Sequence, residues 1–256
     1  MGDKEYLILY NSLSNNGKGG KVLNEVRNLL GKNVSEYMDV SKYDSYGHIF
    51  TDFPAERKIV IIGGDGTLNR FVNETYDMQL ENEIYFYPAG TGNDFWHDVM
   101  GESEKKLIEI NVFLKRLPLI KVKNKTYRFI NGIGYGIDGF ACEEADKIRE
   151  RKPNAKINYT AIALKGLLYA YKPCKATITV DGVTETFDNV WLAPTMKGRY
   201  FGGGMMPTPN QNRLDKDGKV SVMTFSNKNK LRTLSLFPKI FTGRHVEYTK
   251  YTHIYE

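Results

Sequence analysis

The sequence contains little cysteine, no long hydrophobic run and neither of two common hydrolase motifs. The two cysteines, Cys142 and Cys174, form neither a metal-binding spacing nor a disulfide framework. The longest apolar stretch, residues 159–171, is interrupted by Lys165 and is too short to span a bilayer. Neither G-x-S-x-G nor H-E-x-x-H occurs. These absences disfavour a disulfide-stapled secreted domain and a helical membrane protein, and a cytoplasmic location is expected.

The overall charge is positive. The 256 residues include 36 Lys and Arg against 30 Asp and Glu, a formal net charge of +6. An excess of this size favours anionic partners, which include phosphates, nucleic acid and acidic membrane surfaces, without choosing among them.

The first half of the chain alternates between strand and helix patterns. Three short apolar runs, Tyr6–Tyr10, Lys58–Ile62 and Ile84–Tyr87, are each followed by a polar loop and then by helical spacing. The second run is apolar and β-branched after Lys58, which is typical of a strand buried on both faces. Strands that alternate with helices predict an α/β domain with a parallel, Rossmann-like sheet.

The pattern changes after about residue 120. Short alternating strands follow, and Asp181-Gly182 after Ala176–Val180 is a hairpin signal. One helical region, from Phe140 to about Tyr171, interrupts the strands. We therefore expect an α/β domain over residues 1–120 and a mostly antiparallel, β-sandwich-like domain over residues 121–256.

Three loops rich in glycine or small polar residues follow the three predicted strands of the first half, at residues 11–20, 63–69 and 89–94. Loops after parallel strands leave from one sheet edge, where ligands of open α/β sheets bind. Glycine lets backbone N–H groups approach a phosphate, and the second and third loops lead into helices. Asp65 cannot attract a phosphate itself, so we expect it to hold Mg²⁺ or a water on Mg²⁺.

Other phosphate-binding and dinucleotide-binding patterns are incomplete. No Gly-Lys is followed by Ser or Thr, so a Walker A loop is absent. Gly134–Gly139 fits G-x-G-x-x-G, but Tyr159 stands about 20 residues further on, where an acidic residue would hold the ribose. We expect these glycines to serve the backbone instead.

Two of the loops resemble the signatures of the diacylglycerol kinase catalytic domain family. Residues 63–69, Gly-Gly-Asp-Gly-Thr-Leu-Asn, followed by Asn73-Glu74, look like its first signature, and residues 88–95, Pro-Ala-Gly-Thr-Gly-Asn-Asp-Phe, look like its second. The first signature alone would also suit an NAD kinase, whereas the second favours the bacterial lipid kinases. Segments 131–138, 201–205 and 214–218 continue the resemblance over nearly the whole chain.

The resemblance implies an ATP-dependent kinase that transfers a phosphoryl group to a lipid hydroxyl such as that of diacylglycerol. It places ATP on residues 63–69, with Asp65 beside its Mg²⁺ and as the catalytic candidate. It also implies a second, structural Mg²⁺ held by the Leu214 carbonyl, the Asp217 carboxylate and the Lys219 carbonyl. The implied ATP-contacting residues are Ser41, Gly63, Gly64, Asp65, Gly66, Thr67, Leu68, Asn69 and Thr91.

One family feature is not found in the sequence. The family normally carries a terminal Asp-Gly-Glu segment that supplies the catalytic acid or base, and Asp181-Gly182-Val183 has valine in place of the glutamate. We therefore expect impaired transfer, since a positioned base contributes roughly 10²–10⁴-fold. The alternatives are an NAD kinase and a catalytically weak nucleotide-binding protein. Peripheral attachment to a membrane surface and no nucleic-acid partner are expected, and a homodimer is one option for the oligomeric state.

Overall fold

A computed structural model of the chain describes residues 5–17, 19–31, 34–101, 103–104, 106–152, 155 and 157–256. The chain divides into two compact units, residues 1–130 and 131–256. No helix within the described ranges is long and apolar enough to cross a membrane.

The first unit is built on a five-stranded sheet of order β2-β1-β3-β4-β5. The pairs β1–β2, β1–β3 and β3–β4 are parallel, and only the edge pair β4–β5 is antiparallel. The predicted parallel α/β sheet is therefore confirmed. The strands are β1 (Tyr6–Tyr10), β2 (Val34–Asp39), β3 (Lys58–Gly63), β4 (Ile84–Pro88) and β5 (Ile108–Glu109).

Helices cover both faces of this sheet, so alternate side chains of its central strand, β3, are buried on opposite sides. Ile59 and Ile61 pack in one core with Phe71, whereas Val60 and Ile62 pack in another with Val26. The helices of the unit are α1 (Ser14–Gly17), α2 (Gly19–Leu30), α3 (Asp65–Thr75), α4 (Asp94–Met100) and α5 (Asn111–Leu114). Short 3-10 turns lie at residues 40–42, 47–50 and 76–78.

Two further strands of the first unit form a separate hairpin. The strands β6 (Leu119–Val122) and β7 (Lys125–Arg128) pair with each other in an antiparallel two-stranded sheet. The hairpin lies in the first compact unit, which ends at residue 130. The sequence analysis, with a boundary after residue 120, places most of it in the second domain. The predicted domain boundary stays a prediction.

The second unit contains a six-stranded antiparallel sheet of order β8-β11-β12-β10-β9, with β13 paired to β12. This agrees with the antiparallel β-rich domain expected from the sequence. Asp181 and Gly182 connect β9 and β10, and both have positive φ, +48° and +82°, as a two-residue hairpin turn requires. The strands are β8 (Gly132–Ile133), β9 (Cys174–Val180), β10 (Val183–Leu192), β11 (Thr195–Met196), β12 (Ser221–Ser226) and β13 (Thr252–Tyr255). The helices are α6 (Ile137–Arg151), α7 (Tyr159–Lys165) and α8 (Lys230–Leu236), with a π-helical segment at 166–170 and 3-10 turns at 237–242 and 244–247.

Candidate functional site

The second glycine-rich loop is mostly the first turn of α3. Gly64 is the extended N-cap, and its carbonyl accepts hydrogen bonds from the N–H groups of Thr67 and Leu68 at 3.0 and 3.1 Å. The helical spacing in the sequence predicts a helix that starts near Leu68, whereas the helix in the structure starts three residues earlier, at Asp65. Leu68 is fully buried in the core, so only its backbone can face a ligand.

The second and third loops touch through two glycines. A Cβ on Gly90 would lie 2.5 Å from the Gly64 Cα, and a Cβ on Gly64 would lie 2.9 Å from the Gly90 Cα. Just before this contact, the Ala89 N–H donates to the Gly63 carbonyl at 2.8 Å, which continues the β3–β4 pairing. The two loops therefore form one continuous backbone surface in which both positions require glycine.

Asp65 joins the same two loops by hydrogen bonds. Its carboxylate oxygens accept from the backbone N–H groups of Asp94 and Phe95, at 3.0 and 2.7 Å, in the first turn of α4. Those N–H groups have no partner within their own helix, so the carboxylate supplies the acceptors they need. Asp65 thus has an anchoring role that the sequence did not reveal, because its partners lie 29 and 30 residues away.

The third loop is held in a tight turn by Asn93. This residue has a left-handed backbone, φ +53°, and its side-chain amide bonds both the N–H and the carbonyl of Gly90, at 2.8 and 3.1 Å. Thr91 lies in this turn and is exposed, so its hydroxyl is open to a ligand.

The first loop reaches the second through a side-chain pair. The Asn11 amide donates to the Thr67 hydroxyl at 3.1 Å. A Cβ on Gly19 would overlap the Asn11 carbonyl, so this glycine allows α2 to begin close to the end of β1. Lys18, within the predicted loop, lies outside the described residues.

Ser41 belongs to a small polar cluster beside the first loop. Its hydroxyl lies 3.0 Å from the Ser12 hydroxyl and donates to Asp39 at 2.7 Å, while the Ser12 N–H donates to the same Asp39 oxygen at 3.2 Å. Burial would raise the pKa of Asp39, but the hydrogen bonds from Ser41 and Ser12 outweigh it and hold the pKa below its ordinary value. Sequence reasoning missed Asp39, because the pairing of its strand with β1 is visible only in the structure.

Gly66 differs from its neighbours because protein packing does not require it. It is exposed in the first turn of α3, and a Cβ there would meet nothing within 4 Å. The space beside the helix N-terminus is therefore open to a ligand, and backbone N–H groups at such a terminus favour anions.

The last residue of the first signature, Asn69, and the nearby Asn73 hold the chain segment at the end of the β6–β7 hairpin. Asn69 accepts a hydrogen bond from the Ile130 N–H at 3.2 Å, and Asn73 bonds both the N–H and the carbonyl of Arg128, each at 2.9 Å. The Arg128 guanidinium stacks on the Tyr76 ring at 3.2 Å from its centroid. These asparagines therefore have structural partners within the first unit.

The predicted second metal site lies in a turn of the second unit. Asp217 and Lys219 are exposed, and their N–H groups both donate to Asp215 at 3.0 Å. The hydrogen bonds from Lys219 and Asp217 lower the pKa of Asp215. The Lys219 carbonyl accepts from Gln211 at 3.1 Å, and Leu214 is exposed. Within the described part of the chain, no group of three or more His, Cys, Asp or Glu residues could hold a metal ion, so the metal role of Leu214, Asp217 and Lys219 stays a prediction from the resemblance.

The G-x-G-x-x-G segment is shaped by local packing. A Cβ on Gly134 would overlap the Asp138 carboxylate, and Gly136 has φ +123°, next to the carbonyl of Trp191. Burial raises the pKa of Asp138, although hydrogen bonds from the Gly139 and Asp138 N–H groups act in the opposite direction. The first two glycines thus have backbone reasons that require no dinucleotide.

A cavity of about 470 Å³ lies against the third loop. Its lining includes Gly90, Asn93 and Trp96, together with the carboxylates of Glu25 and Glu104. His97 and Lys106 also line it, so the charge of the lining does not by itself decide for or against a phosphate. The open space at Gly66 is the better phosphate site because it lies directly at a helix N-terminus.

Two protein families match the chain. Residues 5–118 match the family described as "Diacylglycerol kinase catalytic domain", and residues 131–254 match the "YegS C-terminal NAD kinase beta sandwich-like domain".

Several bacterial proteins are similar in sequence. A Bacillus subtilis protein named "Putative lipid kinase YtlR" is 27% identical over 75% of this chain and 65% of its own length. A "Diacylglycerol kinase" of Mycobacterium tuberculosis is 26% identical over 74% of this chain and 61% of its own length. The chain therefore spans somewhat less than two thirds of these relatives.

Solved structures share the fold. A diacylglycerol kinase structure from Bacillus anthracis str. Sterne superposes with a TM-score of 0.61 at 18% identity, covering 99% of this chain and 84% of that one. At this identity the likeness concerns the fold alone. In chain order, residues 5–118 therefore match a diacylglycerol kinase catalytic domain and residues 131–254 match the NAD kinase-like domain described with it.

Proposed function

We propose that this chain is an ATP-dependent kinase whose phosphate-binding site is the edge formed by the second and third glycine-rich loops. The observation that carries the proposal is the pair of contacts that joins these loops, the Gly64–Gly90 backbone contact and the bonds from Asp94 and Phe95 to Asp65. A preorganised edge of this kind favours phosphoryl transfer, which depends mainly on positioning and charge stabilisation.

The residues present fit a nucleotide phosphate. The open space at Gly66 would admit phosphate oxygens to the first turn of α3, where backbone N–H groups point outward. Thr91 would add a hydroxyl donor from the third loop, and Ser41, whose hydroxyl proton is donated to Asp39, would add an acceptor oxygen for a nucleotide hydroxyl. Thr67 and Asn69 hold the loop in place through Asn11 and Ile130, and Leu68 anchors it in the core.

Asp65 would face Mg²⁺ while it anchors α4. Mg²⁺ neutralises charge on phosphate oxygens when bound. The second Mg²⁺ would take the Leu214 and Lys219 carbonyls and the Asp217 carboxylate.

The acceptor we propose is a lipid hydroxyl such as that of diacylglycerol. The support is the catalytic-domain match together with relatives named as lipid and diacylglycerol kinases. The protein would work in the cytoplasm, at a membrane surface. An NAD kinase is the second candidate, and the match of residues 131–254 to an NAD kinase-like domain is the observation that favours it.

A pair of matched substitutions tests the nucleotide site. Gly66 and Gly139 both lie in the first turn of a helix, are exposed, and have nothing within 4 Å of an added Cβ. Gly66→Asp places a carboxylate where phosphate should bind, and we expect it to weaken Mg·ATP binding at least about tenfold. Gly139→Asp should leave the affinity unchanged. Isothermal titration calorimetry measures both affinities for Mg·ATP. Equal affinities for the two variants would show that ATP does not bind at this edge.

A transfer assay separates the acceptors. Radiolabelled phosphate from ATP should appear in diacylglycerol in mixed micelles and should be absent from NAD. Label in NAD alone would establish the second candidate. Mg·ATP binding without transfer to either acceptor would leave a catalytically weak nucleotide-binding protein.

A further inference from the structure

The hairpin formed by β6 and β7 carries a concentrated positive charge. Residues 110–137 contain no Asp or Glu and six cations, Lys115, Arg116, Lys121, Lys123, Lys125 and Arg128. The net charge of this segment, +6, is as large as the net charge of the whole chain. Lys121, Lys123 and Lys125 are all exposed around the hairpin turn.

The same hairpin exposes apolar side chains. Val122 and Tyr127 are 46% and 43% exposed, and Ile120 and Tyr127 are directly opposed across the strands. Side chains two residues apart share a face of a strand, so Ile120, Val122 and Tyr127 lie on one face together with Lys125. Leu119, on the opposite face, is 59% exposed. Among the described strands, β6 and β7 pair only with each other.

The base of the hairpin is fixed, although its tip is exposed. Asn73 bonds both backbone groups of Arg128, and the Arg128 guanidinium stacks on Tyr76 and lies 3.7 Å from Asp77. The base of the hairpin is therefore attached to α3, the helix that begins at Asp65, while the tip is exposed.

We infer that this hairpin docks the protein on an anionic lipid surface, with Val122 and Tyr127 in the headgroup region and the three lysines against anionic headgroups. Aromatic and aliphatic side chains flanked by lysines suit such an interface, because the lysine stems extend along apolar groups while the ammonium groups stay in water. A second copy of the chain is a poorer occupant, since two hairpins of equal positive charge repel. The choice of a lipid surface rests on the proposed lipid acceptor.

The experiment is sedimentation with vesicles of phosphatidylglycerol and phosphatidylcholine, compared with vesicles of phosphatidylcholine alone. We expect binding only to the anionic vesicles, and release at high salt. The triple variant Lys121→Gln, Lys123→Gln, Lys125→Gln should bind about a hundredfold more weakly, since each cation contributes about fivefold. Val122→Ser with Tyr127→Ser should weaken binding on the order of tenfold.

The matched control removes the same charge elsewhere. Lys172, Lys228 and Lys250 are exposed lysines of the second unit. Their triple change to Gln lowers the net charge equally and should leave binding within about twofold. Equal losses in both triple variants would reduce the effect to net charge and overturn the inference. Loss only in the control would move the docking surface to the second unit.

Three measurements separate this inference from the proposed function and from self-association. Calorimetry should give the wild-type affinity for Mg·ATP in every hairpin variant, since none of the changed side chains lies in the glycine-rich loops. Vesicle binding is measured without ATP, so failure of the kinase proposal leaves it interpretable. Analytical ultracentrifugation without lipid should show no change in oligomeric state; a dimer lost in the Val122 and Tyr127 variant would assign the face to a second copy.

Discussion

Replacing Gly90 by alanine tests whether the glycine contact sets the geometry of the site. The new Cβ would lie 2.5 Å from the Gly64 Cα and 2.7 Å from the Asn93 side-chain oxygen. Ordinary contacts begin near 3.4 Å, so the loops must separate by close to 1 Å. Neither neighbour moves freely, because one is backbone and the other is hydrogen-bonded to Gly90.

The expected cost follows from this overlap. Overpacking a tight site destabilises by about 1–3 kcal/mol, and a chain of this size loses about 2–4 °C per kcal/mol. Gly90→Ala should therefore lower the melting temperature by roughly 2–12 °C, as measured by circular dichroism. Separation of the loops should also weaken Mg·ATP binding in calorimetry.

Gly66→Ala is the matched control for stability. It adds the same methyl group to the same edge, but the methyl meets nothing within 4 Å. Alanine favours a helix over glycine by up to about 1 kcal/mol, so the melting temperature should stay or rise. If Gly90→Ala melts at the wild-type temperature and binds Mg·ATP as the wild type does, the contact does not set the geometry.

Three further predictions concern the side chains around this edge. Asp65→Asn should cost about 1–3 kcal/mol, because an amide cannot accept from both the Asp94 and Phe95 N–H groups as a carboxylate does; an unchanged urea midpoint would contradict the anchoring role. Asn73→Ala should speed amide hydrogen exchange at Arg128, whose N–H loses its acceptor, while exchange in β3 stays as in the wild type. The lowered pKa of Asp39 means that its ionised form stabilises the fold above about pH 4 and that this stabilisation is lost as pH falls through the folded pKa. Asp39→Asn should therefore flatten the loss of stability between about pH 5 and pH 2, and an unchanged slope in acid-unfolding curves would contradict this.

The sheet and its loops could be predicted because their signals are local. The burial of Ile59–Ile62 can be read from four consecutive β-branched residues, and the glycines that follow them mark where the strand ends. The start of α3 was placed too late because Gly-Asp-Gly is typical of a turn. Only the structure shows Gly64 as an extended cap that accepts from Thr67 and Leu68.

Contacts between distant residues could not be predicted. The sequence assigns Asp65 to Mg²⁺ because an acid beside a phosphate needs a cation, whereas its bonds to Asp94 and Phe95 depend on how β3 and β4 align. The Asp39 cluster depends in the same way on the β1–β2 register.

Helix α3 connects two parts of the first unit that are far apart. Asn73, which holds Arg128, lies seven residues after the open position at Gly66, roughly 10 Å further along the helix. If α3 moves as one body, nucleotide binding at one end and membrane binding at the other, both as proposed above, would be thermodynamically linked. The linkage would be reciprocal: whatever factor a membrane adds to the affinity for nucleotide, the nucleotide adds to the affinity for the membrane.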